Sequence, residues 1–450
     1  MAERTLGGLP VRIAMLYVLL GLVGLVVYGM LWPNAPVIQG DSPQYMEVAR
    51  DLRDFRLDDI HDRAPGYPAL LALTGSSEAP TRTLFYASLF LHFGSVWLLA
   101  LALHASGVSR RALTAFGILL MLPAYVELAG YVMTENLAQF ALAAGLTGIV
   151  MWFRAGRAAW LAAASLCIAY AGFTRPVYQM LAVALAVGLL LSPGVIRRMG
   201  LTYRNAITVA AALVLGSALI LGGLCVRNFA AFGYFGVAPT FGFHLSTTTT
   251  SLFERLPDEY SVVRDILIRE RDAQLVKPGG RHEGTQAIWH ARDELSRATG
   301  LSTPQLSAYL VKMNLRLIAE SPLEYLEEVG RSSATYWFPA VGPLASMGSS
   351  TLRWLWALLH LAVVAVLIMT SGVVWRAMPR RAPESMCVPA AAYLLSATIV
   401  IYTMLLSCFL DIGEPRQRRP TDVLLLFMCF VAAHLWNELR QGAATSGGTA

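Results

Sequence analysis

Charged residues and cysteines are both scarce in this chain of 450 residues. Asp, Glu, Lys and Arg make up 14% of the chain, whereas an ordinary soluble domain contains about 25%. The mean hydropathy is correspondingly high, at +0.54. The five cysteines lie in or beside apolar segments and have no CxxC spacing, which argues against a disulfide framework and against a zinc site of the usual kind.

Several motifs of soluble enzymes are missing as well. The sequence contains no GxGxxG, GxxxxGK(S/T), HExxH or GxSxG element, so it does not support nucleotide-binding or metalloprotease chemistry. The eight histidines lack metal-ligand spacing, and we interpret each as a packed or solvated side chain. The formal net charge of +6 fits the arginine-rich loops of a membrane protein and does not indicate nucleic acid as a partner.

The sequence contains long apolar segments with few charged residues. A helix needs about 20 apolar residues to cross the hydrocarbon layer of a bilayer. Five clear candidates are 13–32, 83–105, 205–226, 354–375 and 386–410. Five shorter or interrupted ones are 112–126, 128–153, 158–174, 176–196 and 421–436. We therefore predict an all-α polytopic membrane protein with about ten transmembrane helices and helical loops on its outer face.

Arginines mark alternate connections between these segments, and short cytoplasmic loops concentrate positive charge. The arginines concerned are Arg4, Arg12, Arg110, Arg111, Arg154, Arg157, Arg197, Arg198, Arg204, Arg376, Arg380, Arg381 and Arg440. With those connections in the cytoplasm, the loops at 33–80, 174–175, 227–353 and 411–420 lie outside. The predicted units are an N-terminal transmembrane module (1–226) that carries the outer loop 33–80, an outer subdomain (227–353), C-terminal transmembrane helices (354–437) and a flexible tail (438–450).

Both large outer loops contain helix signals. In the first, the GDSP sequence at 40–43 predicts a helix start, and apolar residues from Met46 to Phe55 recur at helical spacing, as in a helix lying on the membrane surface. The RAPGYP sequence at 63–68 then predicts a rigid turn. In the second loop, Thr303 and Ser321 each precede a proline and predict two helices. Apolar stripes follow at Leu306, Leu310, Met313 and Leu317, and at Leu323, Leu326 and Val329.

Two carboxylates stand out for their positions. Asp41 follows the first apolar segment after nine residues, so it lies close to the outer membrane surface. It is a candidate general base, and the alternative is a carboxylate that only caps the helix behind it. Glu135 lies inside an apolar segment, where an ionised carboxylate costs roughly 2.5–3.5 kcal/mol. Such a group needs a partner or a wet cavity, although pairing near the interface would also satisfy it.

Four arginines depart from the cytoplasmic pattern: Arg63, Arg175, Arg227 and Arg416 all fall in the outer loops. The planar guanidinium fork suits bidentate recognition of phosphate. Any one of them could be an ordinary loop residue. Together with Asp41 they indicate a site for an anionic, partly lipid-borne ligand.

These residues resemble a known group, the GT-C integral-membrane glycosyltransferases that use polyprenyl-phosphate-linked sugars. The resemblance is strongest to the protein mannosyltransferases and the lipid A aminoarabinose transferases. It covers most of the chain and rests on GDSPQY at 40–45, RAPGYP at 63–68, TEN at 134–136, TRP at 174–176, RN at 227–228, AESPLEY at 319–325 and EPRQRRP at 414–420.

The resemblance implies an inverting transfer of one hexosyl or pentosyl group from a polyprenyl phosphate carrier to an acceptor hydroxyl. It gives Asp41 the role of catalytic base, and the outer arginines (Arg63, Arg175, Arg227 and Arg416) that of binding the donor phosphate. Glu135, Tyr67 and Tyr45 then line the pocket. The expected partners are the lipid-linked donor, a lipid, glycan or protein acceptor and the membrane lipids. The expected location is the inner membrane of a bacterium, with the site facing the periplasm.

One difference from that family leaves open whether the protein needs a metal ion. Many of its members have a second acidic residue directly after the first-loop aspartate, and Ser42 stands there in this chain. A divalent cation is possible, but it would want paired oxygen ligands. Two other functions also fit the sequence. A transporter or flippase of lipid-linked sugars predicts polar residues in both membrane halves and repeat symmetry, and a scaffolding protein predicts no dependence on Asp41 or Glu135.

Overall fold

The computed structural model is helical almost throughout, and it describes residues 5–6, 9–32, 34–56, 63–191, 202–277, 281–337, 350–377 and 384–446. Two two-residue strands, Thr5–Leu6 and Leu9–Pro10, pair before the first helix. In chain order, the α-helices in these ranges, α1 to α20, are Val11–Leu31, Ser42–Arg53, Gly66–Leu73, Arg82–Ala105, Arg110–Leu119, Pro123–Val126, Glu135–Ala155, Ala158–Thr174, Leu181–Leu190, Tyr203–Phe232, Phe241–Thr248, Ser261–Leu275, Arg281–Thr285, Ala287–His290, Arg292–Thr299, Thr303–Glu320, Pro322–Trp337, Ser350–Ala377, Glu384–Phe409 and Pro415–Ser446.

Six of the described helices are long and apolar enough to cross a membrane. They are α1, α4, α7, α10, residues Ser385–Phe409 of α19 and residues Pro415–Gln441 of α20. A seventh span arises if α5 and Pro123–Gly130, which meet at a bend of 67°, count as one. Three further apolar helices are shorter: Ala158–Thr174, Pro176–Leu190 and Ala357–Gly372. The all-helical polytopic fold is thus confirmed, whereas the count of ten spans stays a prediction.

Several helices begin or end at other residues than predicted. The segment predicted at 112–126 breaks before Pro123, because the residue before a proline disfavours the helical conformation. The helix predicted over 128–153 begins only at Glu135. The loop expected at 411–420 ends early, since Pro415 starts α20. Residues 192–196 of the ninth predicted segment lie outside the described residues, as do Arg197, Arg198, Arg380 and Arg381 from the orientation argument.

Small residues let the central helices approach closely. The α-carbon of Gly148 in α7 faces α8 so tightly that an added β-carbon would lie 2.7 Å from the carbonyl oxygen of Trp160. Close backbone approach at small residues is a common way for membrane helices to gain van der Waals contact. The largest hydrophobic cluster runs through α4, α7, α8, α19 and α20, and its members include Leu99, Leu146, Ile168, Ile399 and Val431.

The two segments predicted to be outer loops are packed through apolar side chains. In the second loop, Leu306, Leu310, Met313 and Leu317 are fully buried, so the predicted stripe of α16 is confirmed. The stripe predicted for α17 is only partly right. Val329 is buried, but Leu323 and Leu326 are 77% and 52% exposed. The buried face of this helix runs instead through Tyr325, Val329, Ser332 and Tyr336, which also recur at helical spacing.

The first loop contains two short helices that pack on each other. Met46 and Ala49 of α2 bury against Tyr67 and Leu71 of α3. The turn predicted at 63–68 is therefore the start of a helix, because Gly66–Leu73 is helical. Phe55, expected on the apolar stripe of α2, lies beyond its end with a positive φ of 56° and is exposed. At the other end of the chain, α20 continues to Ser446, so the described part of the expected tail is helical.

Candidate functional site

Backbone pairing places Asp41 beside the start of α7. Val37, between α1 and α2, forms an isolated parallel bridge with Tyr131, just before α7. The hydroxyl of Ser42 then donates a 2.7 Å hydrogen bond to the carbonyl oxygen of Val132. These contacts bring the amino-terminal ends of α2 and α7 together, and with them Asp41 and Glu135.

Asp41 occupies the N-cap position of α2, but its side chain makes no capping hydrogen bond. Its carboxylate faces two arginines instead. Oδ1 accepts a 2.8 Å hydrogen bond from Nη2 of Arg63, and Oδ2 accepts one of 3.1 Å from Nη2 of Arg416. Burial works to raise the pKa of Asp41, but the charges of Arg63, Arg416 and His244 lower it to about 2. The carboxylate is therefore ionised at any physiological pH.

Glu135 is the first residue of α7 rather than a residue one or two turns inside a helix. A helix amino terminus favours a carboxylate, which reduces the cost of its burial. Its side chain is 2% exposed, and Oε1 lies 2.6 Å from Nη1 of Arg175 and 3.6 Å from Nε of Arg416. Arg175 comes from the end of α8, where it caps the helix before Pro176.

The five side chains form one chain of alternating charge. Arg63, Asp41, Arg416, Glu135 and Arg175 follow one another, and each arginine lies within 3.6 Å of a carboxylate. Glu414 also approaches Arg416, at 3.5 Å. In the described part of the chain, the buried Nη1 of Arg175 and Nε of Arg416 lack a hydrogen bond of good geometry. Both atoms nevertheless lie near the same carboxylate oxygen, Oε1 of Glu135, at 2.6 Å and 3.6 Å, so the two guanidinium groups are paired with it by charge.

All five of these residues line one cavity of about 370 Å³. Its other walls are largely apolar and come from the ends of membrane helices and from α11. Among them are Val177, Met180, Phe241, Leu406 and Leu410. A cavity lined by both charged and apolar side chains suits an amphipathic ligand with an anionic head.

The remaining expected residues are placed differently. Tyr45 lines the cavity, and the guanidinium carbon of Arg63 lies 5.3 Å from the centre of its ring. Tyr67 stands behind it, with its ring edge-on to Tyr45 at 5.6 Å, and does not line the cavity. Arg227 is not among the lining residues either. Its guanidinium lies over the ring of Phe232 at 4.9 Å and donates a hydrogen bond to Asn228.

Sequence reasoning did not single out several polar residues of this cavity, among them His244, Asp411 and Gln179. His244 was interpreted as packed or solvated. A signal existed for Asp411, since it is a carboxylate directly after an apolar segment and precedes Arg416 by only five positions. No local pattern pairs it with His244, because the two are 167 positions apart.

The arrangement of possible ligands does not indicate whether the site holds a metal ion. Among the residues that the structure describes, no group of three or more His, Cys, Asp or Glu side chains is arranged to hold a metal ion. Lipid phosphate binding by arginine needs no such group.

Comparison with known proteins gives a match in structure but not in sequence. No protein-family model and no curated protein matches the sequence. The structure superposes on the archaeal oligosaccharyltransferase AglB from Archaeoglobus fulgidus, solved with an inhibitory peptide and a dolichol-phosphate, with a TM-score of 0.55 and 12% identity. The superposition covers 97% of this chain. This chain has the GT-C fold.

Two further structures share the GT-C assignment at lower similarity. ArnT from Cupriavidus metallidurans, bound to undecaprenyl phosphate, is 14% identical with a TM-score of 0.36 over 93% of this chain and 77% of ArnT. Its apo state gives a TM-score of 0.34. The assignment of the fold rests on AglB, because both ArnT scores lie below 0.5. The chain spans 52% of the length of AglB.

Proposed function

We propose that this protein is an inverting glycosyltransferase that moves one sugar, hexosyl or pentosyl, from a polyprenyl phosphate carrier to an acceptor hydroxyl. The site faces the periplasm of a bacterial inner membrane in this proposal. The observation that carries it is the alternating row of Arg63, Asp41, Arg416, Glu135 and Arg175 in one cavity at the ends of membrane helices. The GT-C fold supports it, since AglB was solved with a dolichol-phosphate.

The donor has a charged phosphate and an apolar prenyl chain, which match the charged and the apolar side chains of the cavity. Its phosphate is expected at the guanidinium groups of Arg175 and Arg416, because both residues line the cavity and carry a positive charge there. Its prenyl chain is expected along the apolar wall at Met180, Leu406 and Leu410. Arginine binds phosphate through charge-assisted hydrogen bonds, which are roughly twice as strong as neutral ones.

In the proposed reaction the acceptor oxygen attacks the anomeric carbon from the face opposite the phosphate. The bond from that carbon to the phosphate oxygen breaks, and its electron pair leaves with the lipid phosphate. The arginines stabilise this developing charge, so no acid is needed for the leaving group. The hydroxyl proton passes to the carboxylate of Asp41, which therefore acts as general base.

The proposal is tested by deleting the gene and comparing lipids and glycans by mass spectrometry. The deletion strain should lack one sugar on a lipid, glycan or protein and accumulate the corresponding polyprenyl phosphate sugar. Wild type and Glu47→Gln should restore the product, because Glu47 is an exposed carboxylate on the same helix. Asp41→Asn, present in the membrane at the same level, should not restore it.

Full complementation by Asp41→Asn would remove Asp41 from its role as base. The transporter alternative has a different signature. Purified protein in liposomes would then move the accumulated lipid-linked sugar across the bilayer without forming a covalent product. If the deletion changes no glycan and no lipid, the transferase assignment is wrong.

A further inference from the structure

A histidine–aspartate pair lines the same cavity as Asp41, and the histidine is near enough for its charge to lower the pKa of Asp41. Nδ1 of His244, in α11, lies 3.0 Å from Oδ2 of Asp411, in the connection between α19 and α20. Both residues line the cavity that holds Asp41. The pair therefore joins the outer subdomain to the membrane helices at the site itself.

Four donors hold the carboxylate of Asp411. Oδ1 accepts hydrogen bonds from Oγ1 of Thr247 at 2.9 Å and from the backbone N–H of Ile412 at 2.8 Å. Oδ2 accepts one from Nε2 of Gln417 at 2.7 Å, in addition to the imidazole. Burial works to raise the pKa of Asp411, but the charge of His244 and these hydrogen bonds lower it. The carboxylate is thus ionised and fixed in orientation.

An ionised carboxylate determines the tautomer of the imidazole beside it. Because Asp411 can only accept, Nδ1 of His244 carries the proton that lies between them. The other ring nitrogen, Nε2, is then an acceptor in the neutral ring. The ring is kept in place by Trp289 of α14, which meets it edge-on at a centroid distance of 5.1 Å. His244 is therefore oriented in the same way as the histidine of a catalytic triad.

Six other charged residues share the cavity with His244. Those that line the cavity with it are Asp41, Arg63, Glu135, Arg175, Arg416 and Asp411. The hydrogen bonds of α11 to α16 and the ring contact of His244 with α14 involve neutral side chains. On α16 they are Ser307 and Asn314, and on α14 the neighbour of the ring is Trp289. Protonation of His244 thus puts one positive charge into a cavity whose carboxylates and arginines are already paired.

Asp41 by itself is a poor final acceptor for a proton. With Arg63 and Arg416 on its two oxygens, its pKa of about 2 means that the protonated carboxyl is a strong acid. A group that handles protons efficiently has a pKa near the working pH. An imidazole ordinarily titrates near pH 6.5, which is why histidine is the usual group for this task.

We propose that His244, oriented by Asp411, is the proton acceptor to which Asp41 passes the proton of the acceptor hydroxyl. This rests on the proposed glycosyl transfer and adds a second proton-handling residue to it. The acceptor O–H bond breaks as the new glycosidic bond forms, and the proton goes first to Asp41. It then moves to Nε2 of His244, and the resulting imidazolium is stabilised by Asp411. Release of that proton to water restores the neutral ring. Asp411 is a positioning residue, because it acts through His244.

The experiment measures single-turnover transfer by purified protein, with the donor lipid that accumulates in the deletion strain, as a function of pH. For the wild type the rate should have an acid limb, because an imidazole that already carries two protons cannot accept another. His244→Gln should be slower by about 10²-fold, the lower end for a positioned proton acceptor, and should lose this acid limb. His290→Gln is the matched control, since His290 is an exposed histidine of the same subdomain outside the cavity.

Two more variants separate proton transfer from support of the fold. Asp411→Asn removes the carboxylate that stabilises the imidazolium, so the acid limb should move to lower pH. His244→Ala should regain part of its rate in imidazole buffer. A merely structural role predicts neither the shift nor the rescue.

The outcomes are distinguishable. If the wild type transfers sugar and His244→Gln keeps both its rate and its pH profile, the role of His244 is overturned and the transferase assignment stands. If the wild type transfers no sugar, both proposals are overturned. If His244→Gln is slow only because it unfolds, its melting temperature falls, imidazole does not rescue His244→Ala, and the proton-acceptor role is rejected.

Discussion

Arg416 donates a 3.1 Å hydrogen bond to Oδ2 of Asp41, although 375 positions separate the two residues in the chain. The same guanidinium has its Nε 3.6 Å from Oε1 of Glu135. One arginine at the start of the last membrane helix thus bridges the first outer loop and the start of α7. This long-range contact therefore brings three separate segments of the chain to one cavity.

Arg416→Lys should weaken donor use without loss of charge. A lysine ammonium cannot reproduce the planar fork that reaches Asp41 and Glu135 together. Loss of one hydrogen bond to a charged group, about 1.5–3 kcal/mol, corresponds to a decrease of roughly 10- to 150-fold in kcat/KM. Arg440→Lys, at the exposed far end of the same helix, should leave kcat/KM unchanged. Equal activity of the two variants would mean that Arg416 does not contact the donor or its base.

Glu135→Gln should destabilise the fold. Glu135 and Arg175 are 2% and 14% exposed and lie 2.6 Å apart, so removal of the carboxylate leaves a buried guanidinium with less compensation. Breaking a buried pair costs about 3–5 kcal/mol. Thermal unfolding in detergent measures the loss. Glu78→Gln removes a 60% exposed partner of Arg50 and Arg53 and should cost less than about 1 kcal/mol. A similar melting temperature for both variants would contradict the importance of burial.

Gly413→Ala should displace the segment that carries Asp411 and Arg416. Gly413 has a φ of +62°, and an added β-carbon would lie 2.3 Å from the carbonyl oxygen of Ser332. A methyl group cannot be accommodated there without movement of the backbone. We expect loss of transfer together with a lower melting temperature. Gly330→Ala makes the same change inside α17, where no atom lies within 4 Å, and should stabilise by about 0.5–1 kcal/mol.

The pH dependence of stability has a definite sign at Asp41. Its pKa falls from 3.8 to about 2 on folding, so its pairing with Arg63 and Arg416 stabilises the folded protein at pH values above 3.8. That contribution is lost as the pH falls towards 2. The difference in melting temperature between wild type and Asp41→Asn should therefore be constant from about pH 5 to pH 8 and shrink below about pH 4. A difference that stays constant down to pH 2 would mean that the pKa of Asp41 is not depressed.

Local sequence patterns predicted which residues form the site better than they predicted where the helices begin and end. Apolar length and the arginines at alternate connections indicated which residues lie at one end of the helices, and Asp41, Arg63, Glu135, Arg175 and Arg416 do meet there. The ends of the helices were less predictable. Pro123 interrupts an apolar segment, and Pro415 starts a helix just before another one. Mean hydropathy over a window does not detect such single residues.

The pairings inside the cavity could not be read from the sequence. Leu323 and Leu326 have a spacing that is compatible with the buried face of a helix, and so do Tyr325 and Val329. Which of the two faces is buried depends on the neighbouring helices. Arg227 looked like the other outer arginines, yet it stacks on Phe232 and does not line the cavity.

The sequence by itself determined that this is a helical membrane protein, because the cost of placing a backbone in hydrocarbon leaves long apolar segments few other structures. It also determined that Asp41 and a set of arginines follow those segments at the same end. Only the tertiary structure decided that Arg416 bridges Asp41 and Glu135 and that Asp411 holds His244. Those contacts join residues more than a hundred positions apart, and their distances depend on how all the helices pack, which no local pattern encodes.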